Sequence, residues 1–320
     1  MFKRILKVLG FSPSSTPAET PATSTPFTPE NKPAKGLDEL LIEVAQEFED
    51  SNKFKEAAQA VANQLEFSSA IALTQYFHQT PPEPEALKSK TRKYGLLGIW
   101  ISICQNAIFE ILYNYKAQAI PTLYSIGFGE YDWTQYKAID VLCRLANEGI
   151  ETEAIIKNIG GKIQDFRYEA AMPSLESLAT IPDNNEVSKI ILKMFDEYAD
   201  GDPIDGLYIL RLLAFNYPIE AKTKLSFIKA IAKGEGIENR SPFLDGAVVS
   251  VDKEGNETYS MGGQEIEGTF EETHKITAAA LYFFLDQEDS EINQLIDFWE
   301  RHAKEEGHRN MIVELKKKNN

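Results

Sequence analysis

Few side chains in this sequence belong to the types that enzymes use as nucleophiles or metal ligands. The chain has four histidines and two cysteines. His302 and His308 are six residues apart, so their side chains diverge on a helix, and we expect no metal site and no bound cofactor. His274 lies beside Glu271 and Glu272, which favours a surface ion pair over a catalytic base. The sequence also lacks a Ser-His or Cys-His nucleophile motif.

Two short stretches resemble ligand-binding loops, but each lacks a residue that its chemistry requires. Residues 200–206 place three aspartates before a glycine, as calcium loops do, yet Arg211 stands where a bidentate glutamate would close the site. These aspartates are better explained as helix caps. The run Gly160-Gly161-Lys162 lacks the earlier glycine and the following Ser or Thr of a phosphate-binding loop.

Catalysis remains an alternative in one region. Asp245, Glu265, Glu267 and His274 are acid or base groups that could serve an enzyme or modifying lyase, with a site between a helical body and a β-hairpin. A pocket that holds two of these four side chains together would favour this alternative.

The elements that would position such groups begin after an unusual N-terminal stretch. Residues 1–11 form a basic amphipathic segment that is too short to cross a bilayer but could contact a membrane surface or a partner's groove. Residues 12–36 contain six prolines, four serines and five threonines, which predicts a disordered linker. A peripheral membrane adaptor is therefore a second alternative, and its contact residues would be Phe2, Lys3, Arg4, Ile5, Lys7 and Leu9.

From residue 37 the apolar spacing is helical, and the pattern repeats. The pairs Leu145-Ala146, Leu178-Ala179 and Leu213-Ala214 recur 33 and 35 residues apart, each closing a segment with helical spacing. A helix pair repeated at this period cannot cover its own apolar face and must stack on its neighbours. The spacing predicts an α-solenoid over residues 37–236.

The residues within these units resemble a known repeat family. Residues 165–170 resemble the turn and second helix of a HEAT repeat, with an acid in the turn, then an apolar residue, an arginine and a small residue. Asp132-Trp133 with Lys137-Ala138 resembles the same pattern one unit earlier, and the resemblance covers about residues 117–217. It implies stacked helix pairs whose second helices line a concave surface.

The repeat pattern ends at residues 233–236. Residues 247–251 and 257–261 flank a polar, glycine-containing turn, which predicts a β-hairpin followed by two more helices. The predicted fold class is therefore mainly all-α: a right-handed α-solenoid of HEAT-like helix pairs with a small β-hairpin near the C-terminus. The predicted domain limits are 1–11, 12–36, 37–236 and 237–320.

Charge and cysteine usage narrow the expected partners. The net charge of −16 disfavours nucleic acid, because an acidic chain repels phosphate groups. Cys104 and Cys143 lie in apolar helical patterns, as expected of reduced thiols in a cytoplasmic protein. The chain would associate with a membrane only if residues 1–11 bind its surface. The same charge favours a basic protein as the partner.

We therefore expect a non-catalytic, protein-binding α-solenoid that acts as a scaffold, adaptor or immunity-type inhibitor. Polar residues of the second helices would contact the partner, since Tyr and Arg make strong interface anchors. The alternative is that they form only a solvated face. These residues are Lys137, Asp140, Arg144, Glu169, Glu176, Tyr208 and Arg211.

Overall fold

The computed structural model describes residues 35–94, 98–130, 132–237, 248–251, 257–261, 264–265, 270–285, 289–303, 309, 312–313 and 316. These residues are mainly helical, which confirms the all-α class. They group into two compact units that divide between Ile181 and Pro182. No helix among them combines the length and the apolar character needed to span a bilayer.

The described part of the first unit consists of α-helices joined by short 3-10 turns. Its core is formed by fully buried aliphatic side chains that recur at helical spacing, including Leu41, Leu73, Ile108, Leu142 and Ile155. The helices are α1 Leu37–Ala45, α2 Ser51–Ala62, α3 Phe67–Ala72, α4 Glu85–Thr91, α5 Ile99–Tyr113, α6 Ile120–Gly127, α7 Gln135–Asn147, α8 Thr152–Gly160 and α9 Tyr168–Ala179.

Helix α7 is central to this unit because it packs against α5, α6, α8 and α9. Its buried residues include Ile139, Leu142 and Leu145, spaced so that apolar side chains cover more than one face. Helices α5, α7 and α9 thus lie side by side in chain order, with α6 and α8 packed on α7 as well.

The second unit also begins with a helix pair. Asn184 caps α10 by accepting hydrogen bonds from the Glu186 and Val187 amides, and Asp202 caps α11 by accepting one from the Ile204 amide. The cap interpretation of Asp202 is therefore confirmed. The helices are α10 Asn185–Gly201, α11 Pro203–Asn216, α12 Pro218–Lys222, α13 Leu225–Lys233, α14 Phe270–Leu285 and α15 Ser290–His302.

The finer fold-class prediction is wrong in two respects. The described strands β1 Val248–Val251, β2 Glu257–Met261 and β3 Gln264–Glu265 form a three-stranded antiparallel sheet, not the predicted small β-hairpin. The two-residue strand β3 is too short to show an alternating pattern, so no feature of the sequence predicted it. Among the described residues the predicted continuous right-handed α-solenoid is also not found, because they group into two compact units that divide after Ile181, inside the predicted repeat region.

Candidate functional site

A polar cleft lies where α5, α7 and α9 pack side by side in the first unit. It has a volume of about 430 Å³, and charged or hydroxyl side chains from all three helices line it. Four of the seven residues predicted to bind a partner line this cleft together: Lys137, Asp140, Arg144 and Glu176.

Helix α5 contributes Ser102, Asn106 and Glu110 to the cleft. These residues follow one another at intervals of four, so they lie along one face of a mainly apolar helix. Helix α5 is the most buried in the unit, and this polar stripe is where it meets the cleft rather than the core.

Lys137 reaches from α7 to this stripe and is almost fully buried, with 8% of its surface exposed. Its Nζ donates to Asn106 Oδ1 at 2.6 Å, to Ser102 Oγ at 3.0 Å and to the Ser102 carbonyl oxygen at 3.4 Å. All three acceptors are uncharged, so none offsets the lost hydration of the ammonium as a carboxylate would. Burial therefore lowers the pKa of the Lys137 amine to about 8.

Arg144 forms a bidentate ion pair with Glu110 further along the same two helices, seven residues after Lys137 on α7 and four residues after Asn106 on α5. Arg144 Nη1 lies 2.8 Å from Glu110 Oε2, and Nη2 lies 2.9 Å from Oε1. The guanidinium also covers the ring of Tyr113, 3.9 Å from its centroid. Burial opposes the charge, but Glu110 and Asp140 outweigh it and raise the pKa of Arg144.

Asp140 lies between these two cations on α7 and faces α9. The Ser177 hydroxyl is 3.0 Å from Asp140 Oδ1 and 3.2 Å from the Pro173 carbonyl oxygen, and its single hydrogen can serve only one of them at a time. Burial raises the pKa of the Asp140 carboxyl, although Arg144 and the Ser177 hydroxyl act in the opposite direction.

The polar bonds between neighbouring helices have similar separations along the chain. Lys137–Ser102, Arg144–Glu110, Ser177–Asp140 and Asn147–Thr180 join residues 35, 34, 37 and 33 apart. These spacings fall close to the interval at which the Leu-Ala pairs recur in the sequence.

Three of the predicted partner-binding residues lie outside the cleft lining. Glu169 is exposed in the first turn of α9. Tyr208 and Arg211 are half-buried on α11 of the second unit. Their role in partner binding stays a prediction.

The groups named in the two alternative functions lie mostly outside the described residues. This is true of Asp245 and Glu267, of the Glu265 side chain, and of the whole membrane-contact segment 1–11. His274 is half-buried in α14. Among the described residues, no group of three or more His, Cys, Asp or Glu side chains converges as a metal site would require.

The sequence prediction missed the α5 side of the cleft. The sequence nonetheless indicates a polar face on this helix, because Ser102, Asn106 and Glu110 interrupt the most apolar run of the chain at regular four-residue intervals. The role of Glu110 could not be predicted, because the residue is only 8% exposed. A buried acidic residue needs a partner, and only the fold shows which residue that partner is.

The cysteines near the cleft are not candidates for nucleophilic chemistry. Cys104 and Cys143 are free and buried. Burial raises the pKa of Cys104 to about 12 and that of Cys143 well above its usual range, so both remain protonated thiols.

Comparisons with known proteins give no match: no family model, curated protein or solved structure is similar to this chain at a significant level.

Proposed function

We propose that this chain binds another protein without catalysing a reaction, and that the cleft of α5, α7 and α9 is the centre of its binding surface. The observation that carries the proposal is the convergence of Lys137, Asp140, Arg144 and Glu176 on one cleft. Charged groups of both signs, partly removed from water, can select a partner by complementarity.

The partner is a basic protein. The chain carries a net charge of −16, which attracts a cationic surface and speeds its association at low salt. Glu176 is exposed at the cleft and is the acidic group best placed to meet such a partner first. A scaffold, adaptor or immunity-type inhibitor would all fit this chemistry.

Two exposed aromatic residues are part of the same proposed binding surface. Trp133 lies just before α7 with 64% of its surface exposed, and Tyr168 opens α9 with 48% exposed. They are 35 residues apart, and each lies within two residues of the start of one of two neighbouring helices. Large exposed aromatic side chains are frequent interface anchors.

The compartment that fits this function is the cytoplasm. Two free cysteines in the core suit a reducing environment, because an oxidising one offers no benefit to buried, unpaired thiols.

Photo-crosslinking tests the proposal directly. A photoreactive amino acid replaces Glu176 at the cleft in one variant and Glu153, an exposed acidic residue of α8, in the matched control. We expect illumination in the native host to link a basic protein to position 176 and not to position 153. Equal crosslinking at both positions, or none at either, would contradict the proposal.

The purified partner then allows a measurement of affinity. Glu176→Lys should weaken binding by at least about tenfold, because it places like charges opposite each other in the interface. Glu153→Lys makes the same charge change away from the cleft, so its dissociation constant should match that of the unaltered chain.

A further inference from the structure

Lys137 differs from every other lysine that the structure describes. It is the one lysine among them that is buried, with 8% of its surface exposed, yet its side chain lines the 430 Å³ cleft. The hydrogen bonds to Ser102 and Asn106 fix its amine at the cleft wall. The amine is thus held against α5 as part of the cleft lining.

The charged groups around the amine do not neutralise it. Glu110 from α5 is engaged by Arg144, Asp140 is hydrogen-bonded by Ser177, and Glu176 comes from α9. The hydrogen-bond partners of Lys137 Nζ all lie on α5 and are all uncharged. A buried amine without a carboxylate partner loses its proton more readily than a solvated one.

The rest of the lining defines the kind of molecule that fits. Ser102, Asn106, Asp140 and Ser177 offer hydroxyl, amide and carboxylate groups within one small cleft. Beyond their bonds to Lys137 and to each other, these groups keep further donors and acceptors, such as the Asn106 amide N–H and the second oxygen of Asp140. Hydroxyl-bearing molecules can satisfy these remaining donors and acceptors, whereas a purely apolar molecule cannot.

We propose that Lys137 binds a small hydroxylated aldehyde or ketone covalently, as an imine inside the cleft. This is an activity separate from protein binding. It rests on the position of one amine, whereas the crosslinking experiment above does not involve that amine.

The step is a condensation without net oxidation or reduction. The neutral amine attacks the carbonyl carbon, so a C–N bond forms as the C=O π bond breaks, and one proton passes from the nitrogen to the oxygen. The resulting carbinolamine loses its hydroxyl group together with the remaining N–H proton as water, and a C=N bond forms. One water leaves for each imine, and hydrolysis reverses the step.

The amine is available for this step near neutral pH. With the pKa of Lys137 lowered to about 8, roughly a fifth of the molecules hold a neutral amine at about pH 7.4. An ordinary lysine at the same pH is neutral in only about 0.1% of molecules.

Reductive trapping tests the proposal. The full chain is incubated with glycolaldehyde and sodium cyanoborohydride, and peptide mass mapping measures the labelling rate of each lysine. We expect Lys137 to be labelled at least about tenfold faster than the exposed Lys157 of α8, with a pH midpoint near 8. Lys137→Arg should remove the fast labelling, while Lys157→Arg should leave it unchanged.

Propanal serves as the matched probe, because it replaces the hydroxyl of glycolaldehyde with a methyl group of similar size. Faster labelling of Lys137 by glycolaldehyde than by propanal is expected. Labelling of Lys137 no faster than that of Lys157 would overturn the covalent site, and equal rates with both probes would overturn the hydroxylated ligand class. Circular dichroism of the Lys137→Arg variant shows whether it is still folded, so that a loss of labelling is not mistaken for a loss of folding.

Discussion

At the residue scale, Arg144 combines a predicted binding role with clear structural contacts. Its guanidinium bridges α7 to Glu110 on α5 and covers the Tyr113 ring. These contacts join two neighbouring helices through a pair that is only 25% and 10% exposed at its side chains. Arg144 therefore stabilises the stack whether or not a partner binds.

Arg144→Ala should lower the free energy of unfolding by about 3 kcal/mol, because it leaves the Glu110 carboxylate in a poorly hydrated site without its counter-charge. Urea denaturation measures this change. The double variant Glu110→Gln/Arg144→Met should recover much of the loss, since it removes both charges together. A loss below about 0.5 kcal/mol for Arg144→Ala would show that the pair behaves as a surface salt bridge.

Lys137 makes stability depend on pH in a definite direction. Its folded-state pKa of about 8 lies below the unfolded value of about 10.4. Between these values the unfolded chain holds a proton that the folded chain has released, so this group makes the free energy of unfolding rise with pH. Below about pH 8 both states are protonated, and the cost of burying the charge is fully present.

Lys137→Met removes this dependence. The difference in unfolding free energy between the variant and the unaltered chain should therefore shift by about 3 kcal/mol between pH 7 and pH 10.5, in favour of the unaltered chain at high pH. Denaturant titrations across this range measure it. Lys157→Met is the control for an exposed lysine, and an equal shift in both variants would contradict the assignment.

At the element scale, Gly206 sets how closely α10 and α11 pack. A Cβ at this position would lie 2.7 Å from Ala199 Cβ and 3.1 Å from Ala199 Cα, and 2.9 Å from Phe227 Cζ. Phe227 could adjust, but Ala199 belongs to the body of α10 and can move only with its helix. Glycine is therefore required by close approach rather than by an unusual backbone angle.

Gly206→Ala should destabilise the chain by about 1–3 kcal/mol, because overpacking outweighs the roughly 1 kcal/mol that alanine gains in helix propensity. Gly201 provides a matched control, since it ends α10 and a Cβ there would meet nothing within 4 Å. Gly201→Ala should leave stability unchanged or raise it slightly. Thermal unfolding of the two variants separates the effects, and equal melting temperatures would contradict the packing argument.

At the scale of the whole molecule, the division after Ile181 separates two units, each with its own buried residues. The first unit has a core that runs from Leu41 in α1 to Leu178 in α9. The second contains buried residues from Val187 in α10 to Ile296 in α15. A unit with its own core is expected to fold by itself.

A fragment of residues 16–181 should therefore unfold cooperatively and retain helical circular dichroism. The same fragment carries Lys137, Arg144 and the whole cleft lining, so its reductive labelling at Lys137 should match that of the full chain. A fragment ending at residue 147 lacks α8 and α9 and should lose cooperativity. Non-cooperative unfolding of residues 16–181 would show that the two units depend on each other.

Local patterns in the sequence determined the helices and the direction of many side chains. Apolar spacing predicted α7 and α9, and the aspartates of residues 200–206 were interpreted as helix caps, as Asp202 is for α11. The polar positions Lys137, Asp140, Arg144 and Glu176 were predicted to share a surface. These features depend on residues within one or two turns, which is the range over which periodicity and capping act.

Only the tertiary structure decided which residues those polar groups meet. Glu110 and Arg144 are 34 residues apart, and Ser102 and Lys137 are 35 apart, so no local pattern connects them. The same holds for the two-residue strand β3, whose position comes from pairing with β2, and for the division after Ile181. Burial and charge pairing arise from contacts between distant segments, and it is these contacts that give Lys137 uncharged hydrogen-bond partners and Arg144 a carboxylate.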